Sequence, residues 1–170
     1  DVAINKVLNH GQYIHGPEVF KLEAELAVYA GTKYCVTCAS GTDALLMSLL
    51  AKGIGRGDAV FTTPFTFIAT AEVIQLLGAT PIFVDILDNT FNIDPEKLEI
   101  AIQICNSKGK LIPRAVIPVD IFGLPADYEM IEEIGNKFDL CIIEDAAQSF
   151  GGRIKNKKAC CFGDIGTTSF

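Results

Sequence analysis

Val60-Phe61-Thr62-Thr63 is a short apolar run, a helical stretch from about Ile68 to Leu77 closed by Gly78 follows it, and Pro81-Ile82-Phe83-Val84-Asp85 comes next. This strand, helix, strand order decides the fold, because apolar runs of strand length joined through a helix pair as parallel neighbours. The order repeats downstream. Asp94-Pro95 opens a helix to about Ile104, Ala115 to Val119 reads as a strand, Asp127 to Phe138 as a helix, and Leu140-Cys141-Ile142-Ile143 as a strand. A Gly-rich, basic loop then leads to a last strand-like segment, Thr167 to Phe170. Upstream, Pro17 stands at a first helical position and Gly31 at a stop, with Leu22, Leu26 and Tyr29 on one face between them, the pattern of an amphipathic helix. A short apolar segment around Tyr34 to Val36 is the first strand-like run. After Ser40-Gly41-Thr42, the residues Leu45, Leu46, Met47, Leu49 and Leu50 make a helix apolar almost all round, which predicts its burial.

Continuous apolar strands alternating with helices predict a three-layer α/β/α fold with a mainly parallel sheet covered on both faces. Neither a linker nor a repeat of solenoid length interrupts residues 1–170, so they read as one domain. In such sheets ligands bind beyond the carboxyl ends of the strands, which makes those ends decide function.

Composition narrows the class. Of 170 residues, 49% are hydrophobic and 21% charged, which fits a packed interior and excludes a disordered or collagen-like chain. Mean hydropathy is +0.33, yet no apolar run approaches the ~18 residues of a membrane span, so no membrane partner is expected. With 14 Lys and Arg against 21 Asp and Glu the net charge is -7, which argues against a nucleic-acid partner, since phosphate backbones need a clustered cationic face. The six cysteines, Cys35, Cys38, Cys105, Cys141, Cys160 and Cys161, follow no apolar secretory signal and read as thiols in a reducing cytoplasm. Cys35 and Cys38 have the spacing of a redox or zinc pair, but the adjacent Cys160 and Cys161 make a poor second clamp. No metal site is expected. A chain that begins at Asp1 and stops at Phe170 inside a strand-like run reads as a piece of something longer.

Three strands end in acid, at Val84-Asp85, Val119-Asp120 and Glu144-Asp145. A strand-end Asp serves as readily for a helix cap or loop anchor as for ligand chemistry. Ser40-Gly41-Thr42 puts small residues with free backbone amides where a helix begins, a geometry that binds phosphate, although an ordinary Ser N-cap has the same sequence. Pro64-Phe65-Thr66-Phe67 directly follows a strand and offers an aromatic stacking surface at the sheet edge, with core packing as the alternative. Glu144-Asp145-Ala146-Ala147-Gln148 ends the most apolar strand with an acid and two small residues, leaving room for something flat.

Taken together these residues resemble the DegT-type sugar aminotransferases, which use pyridoxal 5'-phosphate (PLP) on the fold type I scaffold. The resemblance runs through Gly16-Pro17-Glu18-Val19, Ser40-Gly41-Thr42, Gly53 to Asp58, Thr66 to Ala71, Gly78-Ala79-Thr80-Pro81 with Val84-Asp85, Pro118-Val119-Asp120, Glu144 to Gln148, and Gly163-Asp164-Ile165-Gly166 before Ser169-Phe170. It implies that Gly41 and Thr42 hold the PLP phosphate, that Ser169 adds its hydroxyl, and that Phe67 stacks on the pyridine ring. By the same resemblance Asp145 pairs with the pyridine nitrogen, and Gln148 contacts the cofactor near its 3-hydroxyl. Pro64 departs from the small polar residue expected there, which puts the pitch of Phe65 in question. The family's Schiff-base lysine falls five residues after the serine matching Ser169, four beyond Phe170. No residue of this chain takes that role, and Lys155, Lys157 and Lys158 read as solvated charges.

The implied activity is transfer of an amino group from an amino acid such as glutamate to a nucleotide-linked keto sugar, by a homodimer whose sites borrow residues from the partner, with the C-terminal small domain outside this chain. Within the family, a sugar dehydratase with histidine in place of the lysine fits residues 1–170 equally. A magnesium-binding phosphoacceptor signalling domain fits less well, because Cys35 to Ser40 contains no acid. A noncatalytic module on the same scaffold is a further alternative.

Overall fold

The computed structural model describes residues 1–170, which gather into two compact units, 1–37 and 38–170. In the first, α1 (Val2–His10) ends at Gly11 and α2 (Pro17–Ala30) at Gly31, each glycine in the left-handed conformation that frees a helix end from the Cβ penalty. The second helix has the bounds that Pro17 and Gly31 predict. Its expected apolar face is nevertheless open: Leu22 and Tyr29 are exposed, and the buried residues are Ala27 and Ala30. Two helices without a sheet offer too little surface to cover that stripe. The run Tyr34 to Val36 joins no strand ladder, and both Tyr34 and Val36 are exposed. Apolar residues in sequence do not make a strand without a hydrogen-bonding neighbour.

Residues 38–170 form the three layers. After α3 (Gly41–Ala51) come β1 (Asp58–Thr62), α4 (Ala69–Leu76), β2 (Thr80–Phe83), α5 (Pro95–Lys108), β3 (Ile112–Ile117), α6 (Tyr128–Phe138) and β4 (Cys141–Asp145). A hairpin of β5 (Arg153–Ile154) and β6 (Lys157–Lys158) precedes β7 (Ile165–Thr167). The main sheet has the order β2-β1-β3-β4-β7 with every pairing parallel. The last strand lies earlier than Thr167 to Phe170, which leaves Ser169 in irregular chain past a strand end.

Alternation along the strands splits the interior in two. Ala59, Phe61, Val116 and Ile142 point into one core with Leu98 and Ile102 of α5 and Ile131 and Ile134 of α6. Val60, Ala115, Ile117 and Ile143 point into the other with Leu45 and Leu49 of α3 and Val73 and Ile74 of α4. Because α3 has the sheet on one side only, Met47 and Leu50 are exposed, and the all-round burial expected from its sequence is not what the fold provides. Helix starts obey the capping rules: Asp94 accepts from the amides of Glu96 and Lys97, and Asp127 from that of Met130. Gly163 and Gly166 allow the chain after the hairpin to lie directly on the sheet, since a Cβ at Gly166 would sit 2.4 Å from the Cys160 carbonyl oxygen.

Candidate functional site

The site lies where β1, β4 and β7 end, beside the start of α3. Ser40 caps that helix, its hydroxyl accepting from the Asp43 amide at 3.1 Å and donating to the Asp43 carboxylate at 3.0 Å. The amides of Gly41 and Thr42, first in the helix, have no intrahelical acceptor and face outward with the positive end of the helix dipole. Gly41 has a second role here. A Cβ on it would meet the Ser169 Cβ at 3.0 Å and the Ser169 Oγ at 3.5 Å, so the missing side chain is what lets Ser169 reach the helix start.

From Ser169 the chain leads back to Asp145. The Ala146 amide donates to the Thr167 carbonyl at 2.8 Å, and the Thr168 hydroxyl donates to the Ala146 carbonyl at 3.1 Å, which binds the ends of β4 and β7 together. Asp145 is 6% exposed. Its carboxylate accepts the Thr70 hydroxyl at 3.0 Å on one oxygen and the Ala147 amide at 3.3 Å on the other. No cation is bonded to it, and burial pushes its pKa up against the two hydrogen bonds that pull it down. Thr70 is itself held one helical turn from Thr66, their hydroxyls 2.9 Å apart.

Phe67 follows Thr66 at the entrance to α4 and is 71% exposed, so its ring has an open face. Phe65 has ring partners of its own. Its amide donates to the Thr63 hydroxyl at 3.1 Å, and its ring packs with Phe91 and Phe122 at 5.6 and 5.9 Å between centroids. Of the two aromatics after β1, therefore, Phe67 is the one left free to stack. Gln148 is exposed, three residues past Asp145 in the turn that follows β4.

Residues 1–170 match the DegT/DnrJ/EryC1/StrS aminotransferase family. The chain belongs to that family. It is 49% identical to the UDP-2-acetamido-2-deoxy-3-oxo-D-glucuronate aminotransferase of Pseudomonas aeruginosa, over 100% of this chain and 45% of that protein. It is 40% identical to the dTDP-3-amino-3,6-dideoxy-alpha-D-galactopyranose transaminase of Aneurinibacillus thermoaerophilus, over 99% of this chain and 44% of that one. Among solved structures, a DegT DnrJ EryC1 StrS aminotransferase from Brucella abortus superposes with a TM-score of 0.98 at 50% identity, covering 99% of this chain and 45% of that chain. NtdA from Bacillus subtilis, solved with bound cofactor PMP, superposes at 0.82 with 33% identity, covering 96% and 38%. The chain thus spans less than half the length of these relatives.

Within this aminotransferase fold the four acids at the three strand ends are used differently. Asp85 is exposed and pairs with Lys97 at 2.9 Å. Asp120 is fully buried and accepts the Ala126 amide, the Tyr128 hydroxyl and the Ser149 hydroxyl at 2.9, 3.1 and 2.9 Å. Of the adjacent pair on β4, Glu144 turns to the α5 and α6 side and accepts the amides of Cys160 and Phe162, while Asp145 turns to the α3 and α4 side. Sequence assigns no role to Thr70, inside the Thr66 to Ala71 run, or to Ser149; each is hydrogen-bonded to a buried acid distant in sequence. Lys155 and Lys157 pair with Glu129 and Glu132 on α6 at 3.1 and 3.0 Å. No disulfide joins the six cysteines, no group of His, Cys, Asp and Glu is arranged to hold a metal ion, and no helix is long and apolar enough to cross a membrane.

Proposed function

We propose that the full-length protein is a PLP-dependent aminotransferase that moves an amino group from an amino acid, glutamate in the first instance, to a nucleotide-linked keto sugar. The observation that carries this reading is Asp145: a buried carboxylate at a strand end, supplied with neutral donors and no cation, is completed by a ligand N–H bearing positive charge. The remaining residues suit the same ligand. Two unpaired helix-start amides at Gly41 and Thr42, with the Ser169 hydroxyl brought against them by the missing Cβ, suit a phosphate. The open Phe67 ring suits a flat heterocycle.

When bound, PLP supplies an electron sink for the carbanion formed when the substrate loses a proton. The chain's own contribution is position and charge. Asp145 would hold a proton on the ring nitrogen, and Thr70, whose hydroxyl donates to it, would fix the carboxylate while leaving its charge in place. Gly41, Thr42 and Ser169 would anchor the phosphate, Phe67 would cover one ring face, and Gln148 would contact the 3-hydroxyl side. The lysine that would carry the covalent link and move the proton lies, on this reading, four residues past Phe170. The same reading makes residues 1–170 one part of the PLP-binding large domain, followed by a small domain, in a cytoplasmic homodimer. The relatives named above as acting on UDP- and dTDP-linked sugars support the substrate class.

Glutamate given to the full-length protein without any sugar should release 2-oxoglutarate in an amount stoichiometric with active sites. A histidine at the position four residues past Phe170, with no 2-oxoglutarate released, would replace this reading with the dehydratase.

A further inference from the structure

Resting on that reading, the contacts of Asp120 extend it to a residue whose own side chain bonds none of the residues assigned to the cofactor. The Asp120 main chain is fastened to Asp145: its amide donates to the Asp145 carbonyl at 3.1 Å, and the Asp145 amide donates to the Pro118 carbonyl at 2.9 Å. The Asp120 side chain reaches the other end of the same turn, where the Ser149 hydroxyl donates to Oδ2 at 2.9 Å. One residue therefore grips both ends of the stretch 145–149, which carries Asp145 at its start and Gln148 next to its end. Both gripping groups are shielded from water, Asp120 being 0% and Ser149 2% exposed.

Near its start the turn is also tied to the end of β7, the Ala146 amide donating to the Thr167 carbonyl and the Ala146 carbonyl accepting the Thr168 hydroxyl. The Ser149 side chain is what fixes its far end to the interior. Within it the Ser149 amide donates to the Ala146 carbonyl at 3.1 Å, a bond that closes the turn without fixing it to the sheet. Gln148 is exposed, so packing does not set its direction. The remaining Asp120 oxygen serves the opposite side, accepting the Ala126 amide and the Tyr128 hydroxyl at 2.9 and 3.1 Å.

We propose that Asp120, through Ser149, is a positioning residue for the cofactor: it holds Gln148 at the 3-hydroxyl side in fixed register with Asp145 at the ring nitrogen. A residue that only stabilised the fold would lower the melting temperature and leave the cofactor's electronic state untouched. A positioning residue moves that state, because a hydrogen bond lost near the 3-hydroxyl changes the proton affinity of the chromophore by roughly half to one pH unit.

The test is spectrophotometric titration of the full-length holoenzyme. Gln148→Ala should shift the titration midpoint of the bound cofactor's absorption band by about half a pH unit or more. Ser149→Ala should shift it in the same direction, and the double variant should move no further than Gln148→Ala alone. Tyr128→Phe is the structural control, since it removes a buried bond on the loop side of Asp120 only; it should lower the melting temperature and leave the midpoint in place. If Gln148→Ala shifts the midpoint and Ser149→Ala does not, the positioning role is overturned and the Gln148 assignment stands. If Gln148→Ala itself shifts nothing, the assignment falls and takes the positioning role with it. A shift in Tyr128→Phe equal to that in Ser149→Ala would also overturn it, by making the effect a general loosening.

Discussion

Glu144 and Asp145 are neighbours on one strand and both are buried, yet the fold treats them in opposite ways. Glu144 spends both oxygens on the protein's own backbone, accepting Cys160 N at 2.8 Å and Phe162 N at 2.9 Å, beneath a ring stack of Tyr128 on Phe162 with centroids 4.4 Å apart. Asp145 receives one side-chain hydroxyl and one longer amide contact, and looks toward the strand ends. The alternation of a strand sends the first acid to the α5 and α6 side, where it is 0% exposed, and the second to the α3 and α4 side, where it is 6% exposed. Burial alone does not mark a functional carboxylate. What separates the two is the kind of partner, since Glu144 is held by two backbone amides and Asp145 by a side-chain hydroxyl and a longer amide contact.

The largest effect that would break this comparison is in activity. Asp145→Ala in the full-length protein should keep the fold and lower turnover at saturating PLP by on the order of 100-fold or more, the size of a lost acid-base contribution; near-normal turnover would remove the distinction between the two acids. Glu144→Ala should do the reverse. It strands two buried amides and should cost about 2–5 kcal/mol in a denaturant titration. Stability comparable to the parent would mean that the loop after the hairpin finds other acceptors.

Titration sharpens the contrast. Burial, aided by the nearby Asp120 carboxyl, raises Glu144 to about 8, and burial, aided by Asp145, raises Asp120 to about 6. The folded state therefore binds more protons than the unfolded one from the ordinary carboxyl range upward, and the stability these groups contribute is present at low pH and lost as pH rises through about 8 for Glu144. Denaturant midpoints taken at intervals from pH 5 to 8.5 should fall with pH in the parent, and the fall should flatten above neutrality in Glu144→Gln. The smallest effect belongs to Gly41→Ala, whose new methyl would press on Ser169 at 3.0 Å. A weakening of PLP binding by about 3- to 10-fold is expected in a fluorescence titration, equivalent to roughly 1 kcal/mol of crowding.

Much of this was legible in the residues. The strand, helix, strand periodicity from Val60 to Asp85 gave the parallel sheet, although only β1 is buried on both faces and the edge strand β2 is partly open, and Pro17, Gly31 and Asp94 gave helix ends because capping is local chemistry. Tyr34 to Val36 misled because pairing is not local: an apolar run becomes a strand only where a neighbour completes its hydrogen bonds. Met47 and Leu50 misled for a related reason, since composition reports how much a helix can bury and not how many sides are covered. Among the strand-end acids, the sequence offered Asp85, Asp120, Glu144 and Asp145 on nearly equal terms. Their separation depends on Lys97, Ser149, the Cys160 and Phe162 amides, and Thr70, partners between 12 and 75 residues away that no spacing rule connects.

The glycines behind Glu144 carry a consequence for how this region tolerates change. A Cβ at Gly163 would fall 2.5 Å from an Ile142 side-chain carbon and 2.8 Å from the Ile142 carbonyl oxygen, and one at Gly166 would fall among the backbone atoms of Cys160 at 2.4 to 2.7 Å. Backbone cannot retreat as a flexible side chain can. The hairpin at 153–158, exposed at Lys155 and joined to α6 by surface ion pairs, is open to insertion, shortening or grafted sequence. Five and eight residues past its end, the same chain has two positions, Gly163 and Gly166, at which a library of all side chains should return one. Diversity and constraint sit within one short loop, divided by whether the next atom outward is solvent or main chain.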